Sequence, residues 1–127
     1  MPNVLTTLIS SQADRYGDRE AYKYKYGEQW RPTSWKEFRQ HTADASCAFE
    51  TLGLTECDNI AIFSANRPEI LISDFAAYAN RMVPISIYST SSTDQVVYII
   101  NDASCRMLIV GNQSQYDIAR EAMKRCP

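Results

Sequence analysis

The sequence contains little of what metal, redox and phosphate sites are built from: one histidine, four cysteines and four glycines among 127 residues. No apolar run approaches the roughly 20 residues that a membrane-spanning helix needs. The 13 Lys and Arg residues are outnumbered by 15 Asp and Glu residues, for a net charge of −2 and a pI of about 5.3. This balance argues against a protein whose main partner is nucleic acid, because phosphate binding needs a concentrated excess of positive charge.

The cysteines do not occur in the close pairs that structural zinc sites use. Cys47, Cys57, Cys105 and Cys126 form no C-x-x-C motif, and the single histidine, His41, lies a few residues before Cys47. We therefore predict neither a metal site nor a disulfide, and a Cys–His catalytic pair is equally unsupported. We expect four reduced thiols packed mostly as small hydrophobic side chains, with His41 facing solvent.

The N-terminal residues do not look like a targeting signal. Met1 to Leu5 place no basic region ahead of an apolar core, so no secretory signal peptide is expected and the predicted location is cytoplasmic. Apolar residues make up 45% of the chain and charged residues 22%, which is typical of a globular protein. A chain of this length fits one domain that buries its own core.

The first segment predicts a helix followed by a β-hairpin. A helix is predicted by the helical spacing of Leu5, Leu8, Ile9, Gln12 and Tyr16. Gly17 follows as a typical C-cap. Residues Ala21–Tyr26 alternate aromatic with basic side chains, which is typical of a half-buried strand. Gly27–Glu28 is a tight turn, and Pro32 places the returning strand, Gln29–Thr33, at an edge.

A second helix is predicted after the hairpin. Ser34 and Glu37 fit a capping box, in which the two side chains bond each other's backbone N–H groups. Gly53 ends the helix, whose predicted apolar stripe is Trp35, Phe38, Ala45, Phe49 and Leu52.

From Asp58 onward, short apolar runs alternate with amphipathic segments. The runs predict three strands: Ile60–Phe63, Met82–Tyr88 and Met107–Val110. The first helix has Asn66 as its cap, Pro68 in its first turn and Ile70–Ala79 as its body. The second helix begins with a Ser92/Gln95 capping box, and its apolar face is Val96, Val97, Ile99, Ile100 and Ala103. The third helix covers Ser114–Arg125, with Tyr116, Ala119 and Met123 in line on one face.

This order predicts an α/β fold. Residues 58–126 form a parallel β-α-β-α-β-α unit with right-handed crossovers, part of a three-layer sheet preceded by the helix, hairpin and helix. We expect one partial domain over residues 1–127, in which residues 1–57 cover the parallel unit of residues 58–127.

The three strand-to-helix turns are the places where such a sheet could hold a nucleotide. They are Phe63–Pro68, Tyr88–Thr93 and Val110–Ser114, and only the last contains a glycine. Because a phosphate cradle needs close backbone approach at glycines, neither a Walker loop nor a dinucleotide fingerprint is present.

Several features have two interpretations. The six consecutive hydroxyl side chains of Tyr88–Thr93 could line an anion pocket, but a turn with a helix cap is favoured. Arg67 and Glu69 could belong to an active site, but a capping role for Glu69 as the residue facing Asn66 is favoured. The Tyr–Lys alternation could stack bases, but an ordinary edge strand is favoured. We assign no chemistry to the acidic residues near the first turn, Asp14, Asp18 and Glu20.

Four segments together resemble a known family. They are Asp58–Glu69 (DNIAIFSANRPE), Asp74–Ala76, Val83–Ser92 (VPISIYSTSS) and Gln95–Asp102 (QVVYIIND). Their order and spacing resemble the N-terminal part of AMP-forming acyl-CoA synthetases, in particular the long-chain fatty acid–CoA ligases. Pro32–Phe38 resembles an early motif of the same family, and the resemblance covers about Leu5 to Gly111. One departure is Asn80–Met82, where the family usually has a glycine.

The resemblance implies an enzyme that activates a fatty acid with ATP and transfers the acyl group to CoA, with Mg²⁺ as cofactor. The family's phosphate loop, adenylate-binding segment, ribose-binding aspartate and C-terminal lysine have no match here. We therefore predict no catalytic, cofactor-binding or metal-binding residue in this chain.

The expected partners are the remainder of its own polypeptide and, for the parent enzyme, fatty acid, ATP and CoA. A homodimer or a peripheral membrane contact is also consistent with this reading. The alternatives are a free-standing interaction or regulatory module, and a small nucleotide-binding protein.

Overall fold

The computed structural model describes residues 4–127 and shows an α/β fold, as predicted. Met1 to Asn3, on which the expectation of no signal peptide partly depends, lie outside the described residues. The elements in chain order are α1 (Val4–Tyr16), β1 (Glu20–Tyr26), β2 (Gln29–Ser34), α2 (Trp35–Thr51), β3 (Asn59–Phe63), α3 (Pro68–Ala79), β4 (Val83–Ile87), α4 (Thr93–Asp102), β5 (Met107–Val110) and α5 (Gln113–Met123).

The main sheet has three parallel strands in the order β4-β3-β5. Ile60 of β3 lies opposite Pro84 of β4 and Met107 of β5. Strand β3 is therefore central, and its residues Ile60 to Phe63 are at most 2% exposed. The prediction of a strand buried on both faces is confirmed, because β3 has a strand on each side and helices above and below.

Successive β3 side chains point to opposite faces of the sheet and build two cores. One core joins the sheet to α4 and α5 through Ala61, Phe63, Val96, Val97, Ile100 and Ala122. The other joins it to α2 and α3 through Ile60, Phe49, Ala76 and Ala77. The predicted three-layer arrangement is thus confirmed within residues 4–127.

The hairpin β1–β2 forms a separate antiparallel sheet. Its base packs on α2, where the rings of Tyr22 and Phe38 meet edge-to-face with their centroids 5.1 Å apart. Phe38 in turn meets Phe75 of α3 at 5.8 Å. This chain of aromatic contacts connects the hairpin to the layer of helices beneath the main sheet.

Both predicted capping boxes are present. The Ser34 side chain accepts a hydrogen bond from the Glu37 backbone N–H, and the Glu37 carboxylate accepts one from the Ser34 backbone N–H. Ser92 and Gln95 form the same pair of bonds at the start of α4. Each box satisfies backbone donors that a helix start otherwise leaves unpaired.

The predicted cap of α3 is wrong. The helix begins at Pro68, so Arg67 is the N-cap residue and Asn66 lies one position too early. Pro68 takes the first helical position because its fixed φ suits it and its missing N–H is not needed there.

Two predicted apolar stripes are also partly wrong. Leu52 follows the last turn of α2 and is 69% exposed, because the chain turns at Gly53 and buries Leu54 instead. In α5, Tyr116 and Met123 are exposed while Ala119 is buried. The buried side of α5 consists of Gln115, Ala119 and Ala122. The small side chains of Ala119 and Ala122 allow this helix to approach α4 and the sheet closely.

Candidate functional site

The carboxyl ends of the three parallel strands meet at one edge of the sheet. Three loops follow them: 64–67 after β3, 88–92 after β4 and 111–112 after β5. In parallel α/β sheets this edge is where ligands bind, because the loops and the starts of the following helices converge there. The three turns considered from the sequence are therefore brought together by the fold.

Arg67 connects the first loop to the third. Its Nη1 donates a hydrogen bond to the carbonyl oxygen of Gly111, and its Nε lies 2.9 Å from Oε2 of Glu69. Burial raises the pKa of Glu69, but the Glu69 backbone N–H and the Arg67 guanidinium outweigh it and leave the pKa below its ordinary value. The predicted pairing of Glu69 with Asn66 is thus wrong, since Glu69 pairs with Arg67.

Gly111 is needed for packing at this edge. Its N–H donates to the carbonyl oxygen of Phe63 at 3.0 Å. A Cβ built on Gly111 would lie 2.1 Å from Oγ and 2.7 Å from Cβ of Ser64, distances that real Cβ atoms do not show. The one glycine in the three turns therefore allows two strand ends to approach each other.

The hydroxyl-rich turn after β4 acts as a turn and a cap. Ser91 is buried and its N–H donates to the carbonyl oxygen of Tyr88 at 2.9 Å, while Ser92 caps α4. Tyr88 itself is 86% exposed. The favoured interpretation of this run as a turn with a helix cap is confirmed in its geometry.

Gln115 is a buried polar residue of this edge that the sequence interpretation missed. Its side chain is 3% exposed, and its Nε2 lies 3.4 Å from the carbonyl oxygen of Ser89. Its Oε1 has no hydrogen-bond partner among residues 4–127. The available signal was helical spacing, because Gln115 lies four and seven positions before Ala119 and Ala122 and therefore shares their face of α5.

A cavity of about 400 Å³ lies at this edge between the ends of β3 and β4. Its polar lining includes Ser64, Asn66 and Ser89, and its apolar lining includes Ile62 and Ile70. Hydroxyl and amide groups bind a ligand through hydrogen bonds but do not exchange protons at neutral pH. The cavity can therefore contribute to binding. Arg67 lines an adjoining cavity, where Glu69 and Gly111 hold its guanidinium.

The four cysteines are free, and no three His, Cys, Asp or Glu side chains within residues 4–127 lie close enough to hold a metal ion. Cys105 and Cys126 pack half-buried against the core beside α4 and α5, as expected for small hydrophobic side chains. Cys47 and Cys57 are exposed, so that expectation is wrong for them. His41 faces solvent, as predicted.

The amino edge of the sheet is held by Asp58. Its Oδ2 accepts hydrogen bonds from the Thr55 backbone N–H at 2.6 Å and from Arg106 Nη1 at 2.7 Å. The hydrogen bond from the Thr55 backbone N–H lowers the pKa of Asp58 most, against the opposing effect of burial, and the Thr55 hydroxyl and the Arg106 charge lower it further. Arg106 lies 48 residues after Asp58, so nothing in the sequence pointed to their contact.

Replacing Asp58 by asparagine is expected to make the free energy of unfolding depend less on pH in the acidic range. A carboxyl group with a lowered pKa in the folded state stabilises the fold above its ordinary pKa of 3.8, and this contribution is lost as the pH falls through the folded-state pKa. Urea unfolding at pH 7 should therefore show a lower midpoint for D58N than for the parent chain, and the gap should close in strong acid. The exposed Asp102 provides the control, D102N. A pH-independent gap for D58N would contradict this account.

Comparison with known proteins gives one family. The profile of the AMP-binding enzyme family matches residues 9–126. Two relatives are long-chain-fatty-acid–CoA ligases. The one from Xenopus laevis is 26% identical over 99% of this chain, and the one from Bos taurus is 28% identical over 99%. The chain spans 17% of the length of each of these relatives.

Solved structures share the fold at low identity. The complex of VinN with L-aspartate has a TM-score of 0.87 at 15% identity, over 96% of this chain and 33% of that one. A long-chain-fatty-acid-CoA ligase of Archaeoglobus fulgidus has a TM-score of 0.83 at 15% identity, over 96% and 25%. The N-terminal subdomain of NpsA from Klebsiella oxytoca has a TM-score of 0.77 at 19% identity, over 87% and 27%.

Proposed function

Because the chain belongs to the AMP-binding enzyme family, we propose that it is the N-terminal part of a long-chain fatty acid–CoA ligase. The observation that carries this proposal is the alignment of the named ligases across 99% of the chain. The fold shared with an N-terminal subdomain supports its placement at the start of the enzyme. The short span relative to those ligases supports one partial domain over residues 1–127, with residues 1–57 covering the parallel unit of residues 58–127.

The parent enzyme would carry out two steps. The fatty carboxylate attacks the α-phosphorus of ATP, which forms acyl-adenylate and releases pyrophosphate. The CoA thiolate then attacks the acyl carbon, and AMP leaves as the thioester forms. Such phosphoryl chemistry depends on positioning and on charge stabilisation by Mg²⁺ and cationic side chains.

The residues of this chain do not fit the role of holding Mg²⁺ or the phosphates. Within residues 4–127 no cluster of three potential ligands is present, and Arg67 is engaged by Glu69 and Gly111. Gly111, the one glycine of the three turns, is packed against Ser64. We therefore propose that none of these residues is catalytic, cofactor-binding or metal-binding, and that the chain serves as a scaffold.

No helix within residues 4–127 combines the length and the apolar character needed to cross a membrane. We propose a cytoplasmic location for the parent enzyme. A fluorescent fusion of the full reading frame should distribute through the cytoplasm, and its import into an organelle would contradict this.

The proposal predicts that the 127-residue chain, given palmitate, ATP, Mg²⁺ and CoA, forms no palmitoyl-CoA above a protein-free blank. The polypeptide from the complete reading frame should form it and release AMP in equal amount. Mass spectrometry of the thioester, with a full-length relative as positive control, makes the comparison. Turnover by the short chain would refute the scaffold role. A complete reading frame that ends at Pro127 would favour the free-standing module.

A further inference from the structure

A groove of about 940 Å³ separates the β1–β2 hairpin from the carboxyl edge of the main sheet. Residues 64–71 and 111–112 form one side of it, and residues 22–26 of β1 form the other. Side chains of a strand alternate between its two faces, so a lining of consecutive residues means that the groove follows an edge of β1. Strand β2 contributes Trp30 and Arg31, beside the turn.

The edge of β1 that faces away from β2, its outer edge, has no neighbouring strand. The hairpin forms a sheet of two strands within residues 4–127. Such a sheet is marginally stable in water by itself, and a third strand or a packed helix is needed to support it. Helix α2 supports the base of the hairpin through Phe38, which meets Tyr22. The remainder of β1 borders the groove, so the hairpin is an incomplete sheet with an open edge.

The two-residue turn at residues 27–28 determines which backbone groups point outward. Tyr26 and Gln29 flank this turn directly, so they form a hydrogen-bonded pair across the hairpin. Pairs of the two kinds alternate along antiparallel strands. The next pair, Lys25 with Trp30, is therefore not hydrogen-bonded, and its N–H and C=O groups point away from the hairpin.

The same alternation shows that one outer edge is open and the other is blocked. On β2 the outward positions are Trp30 and Pro32, and Pro32 has no N–H to donate. On β1 the outward positions are Lys23 and Lys25, and each has both an N–H and a C=O group. The edge that can accept a further strand is therefore the one that lies in the groove.

We propose that a strand from the part of the same polypeptide that follows Pro127 pairs with the outer edge of β1 and fills the groove. This inference rests on the proposed function, under which the ligase extends well beyond a chain that spans 17% of its relatives. Main-chain hydrogen bonds to the open edge provide the affinity of such pairing, and alternate side chains provide its specificity.

The side chains of β1 indicate the chemistry of the added strand. Tyr22 and Tyr24 are half-buried on one face of the hairpin. Lys23 and Lys25 are exposed on the other face. Lys23 pairs with Glu20 at 3.4 Å, whereas Lys25 has no ion-pair partner among residues 4–127. Because opposed side chains of paired strands interact, the added strand should alternate apolar residues with polar ones and place an acidic side chain near Lys25.

Hydrogen exchange at single-residue resolution, in the polypeptide from the complete reading frame, tests the pairing. Relative to their intrinsic rates, the Lys23 and Lys25 amides should exchange about tenfold more slowly than the outward Trp30 amide, as one added hydrogen bond predicts. Equal protection of Lys25 and Trp30 would overturn the proposal. Ligase activity of the same protein separates the two conclusions. An active ligase with unprotected Lys23 and Lys25 lacks the added strand, whereas protected amides without ligase activity contradict the proposed function alone.

Two variants of Lys25 in the complete polypeptide sharpen the test. K25P removes the outward N–H without removing a bond of the hairpin, and the matched control K25A keeps that N–H. Exchange at Lys23 should become about tenfold faster in K25P and stay within about threefold of the parent in K25A. Equal effects of the two variants would contradict the pairing.

A photo-crosslinking side chain identifies the occupant of the groove. With p-benzoylphenylalanine in place of Lys25, the proposal predicts a crosslink within one polypeptide, to a segment that follows Pro127, mapped by mass spectrometry. A crosslink to a second copy of the protein, or a crosslink confined to residues 1–127, would overturn it.

Discussion

Replacing Gly111 by alanine is expected to lower the free energy of unfolding by about 1–3 kcal/mol, the usual range for overpacking. The added Cβ would lie 2.1 Å from Ser64 Oγ and 2.7 Å from Ser64 Cβ. The hydroxyl can rotate away, but Ser64 Cβ is fixed by the backbone, so the ends of β3 and β5 would have to separate. That separation would strain the hydrogen bond from Gly111 N–H to Phe63. Urea unfolding of both proteins measures the effect.

A double-mutant cycle isolates this clash from other effects of the substitution. In an S64G background both Ser64 atoms are absent, so G111A should cost less there than in the parent chain. We expect a coupling free energy of about 0.5–3 kcal/mol between the two positions. Additive losses would show that Ser64 is not what excludes a side chain at position 111.

Truncating Phe63 to alanine is expected to lower the free energy of unfolding by about 3–5 kcal/mol. Phe63 is 0% exposed, and it lies at the end of the central strand in the core shared with α4 and α5. The whole fold is stabilised by about 5–15 kcal/mol at most, so this loss is a large part of it. Circular dichroism during urea unfolding measures it.

The matched control for Phe63 is an aromatic residue outside the core. Tyr98 of α4 is 67% exposed, so Y98A should change the free energy of unfolding by no more than about 0.5 kcal/mol. F63L keeps most of the buried volume and should cost clearly less than F63A. A small effect of F63A would mean that α4 and α5 do not depend on this core.

The elements that sequence patterns predicted correctly are those whose signal lies in residues close together along the chain. The capping boxes at Ser34 and Ser92 connect residues three positions apart, so the residue types alone indicate them. The apolar run at Ile60–Phe63 predicted a strand buried on both faces, and it is the central strand. Periodicity and capping chemistry were sufficient because both act within one or two turns of the chain.

The predictions that failed depended on distant partners. Asn66 looked like a cap, but Arg67 takes that position while its guanidinium bonds Gly111, 44 residues away. The sequence placed Tyr116 and Met123 on the packed side of α5, whereas the structure buries Gln115 and Ala122. Large apolar residues suggested the inner face, yet close packing against α4 selected smaller ones.

The sequence by itself determined the order of helices and strands, the capping boxes at Ser34 and Ser92, and the resemblance to AMP-forming ligases. Tertiary structure decided that β3 lies between β4 and β5, that Arg67 joins the first loop to the third, and that Asp58 is held by Arg106. The physical reason is the distance along the chain over which each interaction acts. Helix caps and amphipathic periodicity are set by neighbours along the chain, whereas strand order and the meeting of loops follow from which faces can be buried together.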